Sequence, residues 1–257
     1  MEKIKIEFSH NNSVARIYLA APKGNVLDRV MMAELLEALK GFKTRNDLKL
    51  ITFEGEGAHF SYGASVEEHK KENVAAMLHS FHQLFYDLID LSIPTAAKIS
   101  GFCLGGGLEL ALGCNFLFAD RTATLGQPEI VLGVFPPPAS LLLPLKIGAA
   151  RAEELIITGK NISAEEAASL GLLNQLFPDK SALNGGVEEF IEQHILPKSA
   201  SSLRFAVRAA RSVFNEIILQ KLPQLEKLYV EELMETKDAN EGIEAFLEKR
   251  KPRWQNH

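Results

Sequence analysis

Segments of strand length and segments of helical period alternate along the first three quarters of this chain, and that alternation limits the possible folds more than any other feature. Ile4, Ile6 and Phe8 alternate with polar residues, and after the turn-forming Asn11-Asn12-Ser13 a second alternating run extends from Val14 to Leu19, the pattern of a β-hairpin. Beyond Pro22-Lys23-Gly24-Asn25, Asp28 is placed to cap a helix carrying Met32, Leu35, Leu36 and Leu39, and Leu48 to Phe53 predicts the next strand. A helix is predicted from Val74 to Leu91, closed by Ile93-Pro94, and a short strand from Thr95 to Ile99 leads into the glycine-rich segment Gly101 to Leu110. Another helix follows, then a strand around Asn115 to Ala119 and a proline-interrupted stretch from Gln127 to Pro138. This order builds an α/β architecture rather than a sandwich or a bundle. From about Leu196 the pattern changes: Ser201 to Phe214, Leu222 to Met234 and Asn240 to Lys249 read as helices with hardly any strand pattern. The boundary is therefore placed there, with an α/β core over 1–195 and a helical segment over 196–257.

Composition narrows the function classes. With 257 residues, 46% hydrophobic and 24% charged, the chain has the balance of a globular protein that buries a sizeable core. A net charge of −5 with scattered Lys and Arg provides no basic stripe for a phosphate backbone, so no nucleic-acid partner is expected. The longest apolar stretches, such as Ala139 to Leu145, fall well short of a bilayer span, and the N-terminus leads straight into a strand pattern. The expectation is a soluble, cytoplasmic protein without a membrane partner. Cys103 and Cys114, the two cysteines, sit among apolar neighbours, so neither a disulfide framework nor a metal site is indicated. His79 and His82, three apart on a helix without a carboxylate at metal spacing, read as structural.

Three segments can carry chemistry. Gly105-Gly106-Gly107-Leu108-Glu109 follows a strand and opens a helix. Glycines let a backbone approach a ligand closely, and a helix N-terminus offers unpaired N–H groups and a partial positive charge, a setting for an anion or a developing oxyanion. The Lys-Ser/Thr of a nucleotide P-loop is missing, as is G-x-G-x-x-G spacing; the segment alone reads equally well as tight helix–strand packing. His59 to Ser65 ends another strand and loop, where Gly63-Ala64 can expose a second backbone N–H, although alone it is an ordinary turn. Gly126-Gln127-Pro128-Glu129 lies in an apolar run, and a buried carboxylate there has to be paired, hydrogen-bonded or functional. Two glutamates with two candidate N–H donors form the set that acid/base work on a carbonyl compound needs.

Together these segments resemble the crotonase (enoyl-CoA hydratase/isomerase) superfamily. The resemblance rests on Phe60 to Ser65, Gly101 to Glu109, Gly126 to Glu129 with Leu132-Gly133, Ala168 to Asn174, and Ala245 to Pro252, in family order along essentially the whole chain. It implies a spiral of ββα units with an α-helical C-terminal trimerisation segment, assembled as a homotrimer or a dimer of trimers. It also implies an acyl-coenzyme A thioester as substrate, with coenzyme A as part of that substrate and no separate cofactor. The thioester oxygen would accept hydrogen bonds from the N–H groups of Ala64 and Gly106, and Glu109 and Glu129 would activate water and exchange protons with carbon. Relatives with other activities lack one or both glutamates, so the retained pair points to hydration. For the coenzyme A portion the resemblance implies Lys23, Asn25 and Leu27, with Phe246 and Lys249 reaching the site from the C-terminal helix, which can belong to a neighbouring subunit; a solvated helix face is the other reading of Lys249.

The chain departs from short-chain hydratases at Tyr62, at Ser65 where an Asp is usual, and at Phe135-Pro136-Pro137-Pro138. Consecutive prolines fix φ and remove donors, so this wall of the pocket is expected to be stiff and differently shaped, suited to a cyclic acyl group. Gly63 to His69, Gly133 to Pro136 and Ser199 to Arg211 resemble family members that hydrate a cyclic dienoyl thioester in anaerobic aromatic degradation. Water would then attack the carbon β to the thioester and a proton would reach the far end of the diene. A linear enoyl-CoA hydratase or isomerase, and a non-catalytic coenzyme A-binding or assembly protein, are the alternatives. Tyr62, His69 and Phe135 are candidates for the acyl pocket; His69, within Glu67-Glu68-His69-Lys70-Lys71, reads otherwise as part of a solvated helix face.

Overall fold

The computed structural model describes residues 1–257, and the alternation read from the sequence is realised in two stacked rows of strands. The predicted hairpin forms, β1 (Ile4–Ser9) pairing antiparallel with β2 (Val14–Leu19). The Asp28 carboxylate accepts the Met31 N–H and starts α1 (Arg29–Phe42) as expected of an N-cap. β3 (Leu50–Gly55), α2 (Val74–Leu91), β4 (Thr95–Ile99), β5 (Phe102–Leu104) and α3 (Gly106–Gly113) follow. Next come β6 (Phe116–Asp120), β7 (Thr124–Gly126), α4 (Pro137–Ile147), α5 (Ala149–Thr158), β8 (Asn161–Ser163), α6 (Ala164–Ser169) and β9 (Gln175–Phe177). Helices then take over as α7 (Lys180–Phe190), α8 (Ala200–Ala210), α9 (Ser212–Lys227) and α10 (Lys237–Leu247).

One sheet has the order β1-β2-β3-β4-β6-β9, parallel except for the first pair, and a second has the order β5-β7-β8. Single-residue bridges extend the second row, Leu27 to Ala64 and Ser61 to Cys103. Each turn of the chain thus adds one strand to the first sheet and a short extended piece to the second. Loops that leave successive pieces of the second row emerge side by side, and this stacking carries distant residues into one site.

The principal core joins β2, β3 and β4 to α1, α2, α3 and α4, with Phe53, Phe60, Leu110 and Leu142 fully buried. The C-terminal helices are not set apart from it: Ile218 and Leu222 of α9 belong to the same cluster. The helix predicted over Ser201 to Phe214 breaks instead at Arg211, whose guanidinium donates to the carbonyls of Gly113 and Cys114 and holds the corner. The expected gap before Leu222 is absent, because α9 runs through Pro223 while Ile218 and Leu222 anchor it in the core. In this helix burial outweighs the cost of a proline that removes one backbone bond.

Across β3 and β4, Glu54 and Lys98 face each other in register and form an ion pair of 2.7 Å, with only 8% and 7% of each residue exposed. Removing one partner leaves a buried charge uncompensated. Lys98→Met is expected to lower the stability of the fold by about 3–5 kcal/mol, read from denaturant midpoints. A loss below about 1 kcal/mol would show that water reaches the pair.

Candidate active site

Gly63 and Gly105 set the geometry of the site. Gly63 has φ +99°, and a β-carbon there would lie 2.8 Å from the Leu104 carbonyl oxygen and 3.2 Å from the Gly106 nitrogen. Only glycine permits that backbone angle and that approach at once. The result is that two loops from successive turns of the spiral lie amide against amide: a β-carbon on Gly106 would be 3.1 Å from the Ala64 nitrogen. Gly106 opens α3, where no intrahelical acceptor exists, and Ala64 sits between Gly63, whose carbonyl accepts from Leu27, and Ser65, whose N–H donates to Leu27. Neither N–H, of Ala64 or of Gly106, is taken up by another group of the protein. Both line a cavity of about 430 Å³.

Glu109 and Glu129 line the same cavity. Glu109 is one helical turn beyond Gly106 on α3 and is 4% exposed. Its Oε1 accepts the Ala139 N–H at 2.9 Å. The prolines explain that bond. Pro136, Pro137 and Pro138 have no N–H, so Ala139 is the first residue at this helix start able to donate, and its N–H has no intrahelical partner. The proline run therefore does more than stiffen a wall, because it delivers one helix-terminal donor to a carboxylate.

Glu129 lies in a 3₁₀ turn, Pro128–Leu132, and is half-buried on the cavity wall. The buried Gln127 amide, turned so that its nitrogen faces the carboxylate, donates to both oxygens at 3.0 and 3.1 Å. Gly105, with φ +50°, leaves room for this carboxylate: a β-carbon would lie 2.6 Å from Glu129 Oε1. Burial pushes both carboxyls above the usual carboxylate range, and the charge of Glu129 pushes Glu109 further, against the opposing pull of the Ala139 N–H. Raised pKa values on two carboxyls of one cavity favour a proton shared between them, the arrangement in which one serves as acid and the other as base.

Much of the remaining lining is apolar, with Met77, Leu78 and Phe81 of α2 and with Phe135, Pro136 and Pro137. Tyr62 and His69 also line it. The solvated-face reading of His69 does not hold: the ring is half-buried, and its Nδ1 donates to the Ser65 carbonyl at 2.8 Å. Burial lowers its pKa and so favours the neutral ring, in which Nδ1 carries the proton and Nε2 the lone pair. Phe246 lines the cavity from α10 of the same chain, whereas Lys249 lies exposed beyond that helix and lines neither this cavity nor its neighbour.

A second cavity, about 660 Å³, adjoins the first at Tyr62 and is lined by Lys23, Gly24, Asn25, Glu56 and His59. The rings of His59, Tyr62 and Phe102 cluster with centroids 5.1 to 5.5 Å apart, making an aromatic divide. Lys23 is exposed there, but the buried Asn25 is engaged with backbone. Its Oδ1 accepts from Ala21 and its Nδ2 donates to the carbonyls of Glu56, His59 and Phe60. Leu27 is 1% exposed and lines neither cavity. Both residues hold the Ala64 loop in place rather than offer a free side-chain group to a ligand. The Ala139 N–H, the Gln127 amide and Tyr229 are members of the site that the sequence reading missed. The proline run before Ala139 and the Gly-Gln-Pro-Glu order carried a signal for the first two; nothing local marked the third.

A family model described as Enoyl-CoA hydratase/isomerase matches residues 9–257. The cyclohexa-1,5-dienecarbonyl-CoA hydratase of Thauera aromatica is 45% identical over 253 residues, spanning 98% of this chain and 97% of that protein. A probable enoyl-CoA hydratase of Rhizobium meliloti (strain 1021) is 36% identical over 243 residues, spanning 93% of each. The crystal structure of an enoyl-CoA hydratase from Bacillus halodurans shares the fold, with a TM-score of 0.87 at 24% identity, covering 95% of this chain and 100% of its own.

Proposed function

Because the chain belongs to the enoyl-CoA hydratase/isomerase family, we propose that it adds water to a conjugated cyclic acyl-CoA, converting cyclohexa-1,5-diene-1-carbonyl-CoA to 6-hydroxycyclohex-1-ene-1-carbonyl-CoA in anaerobic aromatic degradation. One observation carries the reading: the carboxyls of Glu109 and Glu129 line the same cavity as two backbone N–H groups without a protein acceptor. The two N–H groups bind the thioester oxygen and stabilise the negative charge that gathers there as water adds. The ionised carboxylate takes a proton from water, whose oxygen bonds to the carbon β to the thioester. The resulting dienolate is protonated at its far carbon by the carboxyl of the other glutamate, so hydrogen and hydroxyl balance one water. The stiff apolar lining of Phe135, Pro136 and Pro137, with Met77 and Phe81, suits a flat ring, and the Thauera relative is named for such a substrate.

Coenzyme A enters as part of the substrate in this reading, its nucleotide end beside Lys23 in the second cavity, where an ammonium meets phosphate as a point charge. The enzyme works in the cytoplasm as a homotrimer or a dimer of trimers, another copy covering the exposed Phe205, Val213 and Leu219 of the α8–α9 region. No helix is long and apolar enough to cross a membrane.

The test is incubation with the cyclic dienoyl-CoA and with crotonyl-CoA side by side, with mass detection of products. The cyclic thioester is expected to gain one water with a kcat/KM at least tenfold above that of the linear one. Preference for crotonyl-CoA would make the chain a linear enoyl-CoA hydratase, a shift of the double bond without added mass an isomerase, and binding without turnover a coenzyme A-binding protein.

A further inference from the structure

Tyr229 is 1% exposed and lines the cavity that holds Glu109 and Glu129. Its hydroxyl oxygen is shielded from bulk solvent and has no hydrogen-bond partner within the protein. A hydroxyl left so is costly, and native folds leave few of them. The backbone there is also unusual. Between α9 and the 3₁₀ turn Leu233–Glu235 the chain makes a π turn, Leu228–Glu232, with the N–H of Leu233 reaching back to the carbonyl of Leu228. Such turns insert one residue into a helix and recur at functional sites. Here the turn seats Tyr229 against Phe135, with ring centroids 5.2 Å apart, in a cluster with Met77, Leu78 and Val134 that closes the cavity.

We propose that Tyr229 is a positioning residue for the hydration reaction, its phenol donating a hydrogen bond to the oxygen that is added to the acyl group and so fixing that oxygen between the two glutamates. The inference rests on the hydratase reading and extends it to the group that recognises the hydroxylated product. A donor suits this place because both other side chains facing the added oxygen are carboxyls, of which one is an acceptor only. Burial, with the charges of Glu129 and Glu109, holds the phenol in its neutral donating form. In the forward direction the bond orients the attacking lone pair; in reverse it steadies the departing hydroxide.

Tyr229→Phe keeps the ring and removes the oxygen. Calorimetric binding of 6-hydroxycyclohex-1-ene-1-carbonyl-CoA is expected to weaken about tenfold, the value of one good hydrogen bond. Binding of cyclohex-1-ene-1-carbonyl-CoA, which lacks only the hydroxyl, should stay within about twofold. Turnover should fall about tenfold at unchanged KM, and Tm should hold or rise, since a buried hydroxyl without a partner is removed. Equal losses for both ligands, or none for either, would overturn the role. Where Y229F does not fold, 3-fluorotyrosine at 229, a stronger donor of the same shape, is expected to tighten only the hydroxylated ligand; unchanged binding counts against the proposal. If the wild type binds these thioesters but hydrates none, it is the hydratase reading that fails. If it hydrates only linear thioesters, 3-hydroxybutyryl-CoA and butyryl-CoA make the same comparison.

Discussion

Glu109→Gln and Glu129→Gln are each expected to lower kcat for hydration by at least about 100-fold, the scale of a positioned acid or base, while binding of an unreactive saturated acyl-CoA should change by no more than a few fold. The split follows from where the carboxylates lie. They line the first cavity with the two free amides and do not line the second, where the nucleotide end is assigned. The same substitutions should raise stability. Both carboxyls have pKa values raised by burial above an ordinary value of 4.5. A raised folded-state pKa means that the folded protein holds protons the unfolded chain has released. The stabilisation so gained is complete below about pH 4.5 and is lost as pH rises toward the raised values. Glutamine, which never ionises, escapes that loss. The difference in Tm between variant and wild type should therefore be small at pH 5 and grow in the variant's favour toward pH 8. Near-normal turnover in both variants would remove the glutamates from the chemistry. Lower stability of both at pH 8 would show that the charged pair is well solvated.

Gly106→Pro should cost about 100- to 1000-fold in kcat, equivalent to about 2.7–4 kcal/mol for one lost oxyanion donor. Proline is tolerated at the first position of a helix, so α3 need not unravel. What disappears is the unpaired N–H of residue 106, and the added β-carbon lies 3.1 Å from the Ala64 nitrogen, narrowing the space for the thioester oxygen. Both effects act on the same step. Far-ultraviolet dichroism and Tm check the fold, and affinity for a saturated acyl-CoA reports binding separately from catalysis. A folded variant with less than about tenfold loss would mean that the amide of residue 106 does not meet the developing charge.

Particular residues show what could be read from sequence. Asp28 before Arg29, the period of Val74 to Leu91 and the apolar run Thr95 to Ile99 specify elements through neighbours a few residues away, and those elements formed within a residue or two of expectation. The glycine segment with Glu109, and Glu129 twenty positions on, could be picked out because backbone approach and buried charge leave local marks. The α9 segment could not. Local pattern divided it between helices over Ser201 to Phe214 and Leu222 to Met234, and the burial of Ile218 and Leu222 in a core assembled from β2 to α4 makes it one helix.

The sequence by itself determined the alternation of strands and helices, the glycine turns and the two glutamates, since each is encoded by periodicity or by a residue type whose φ, charge or missing N–H acts locally. Only the tertiary structure decided that Ala64 meets Gly106, that Ala139 donates to Glu109, and that Tyr229 and Phe246 close the cavity from the far end of the chain. Those contacts join residues 30 to 94 positions apart, counted from Ala139–Glu109 to Tyr229–Phe135. They exist because stacking the turns of the spiral and folding the last helices back bury apolar surface that no single segment can bury alone.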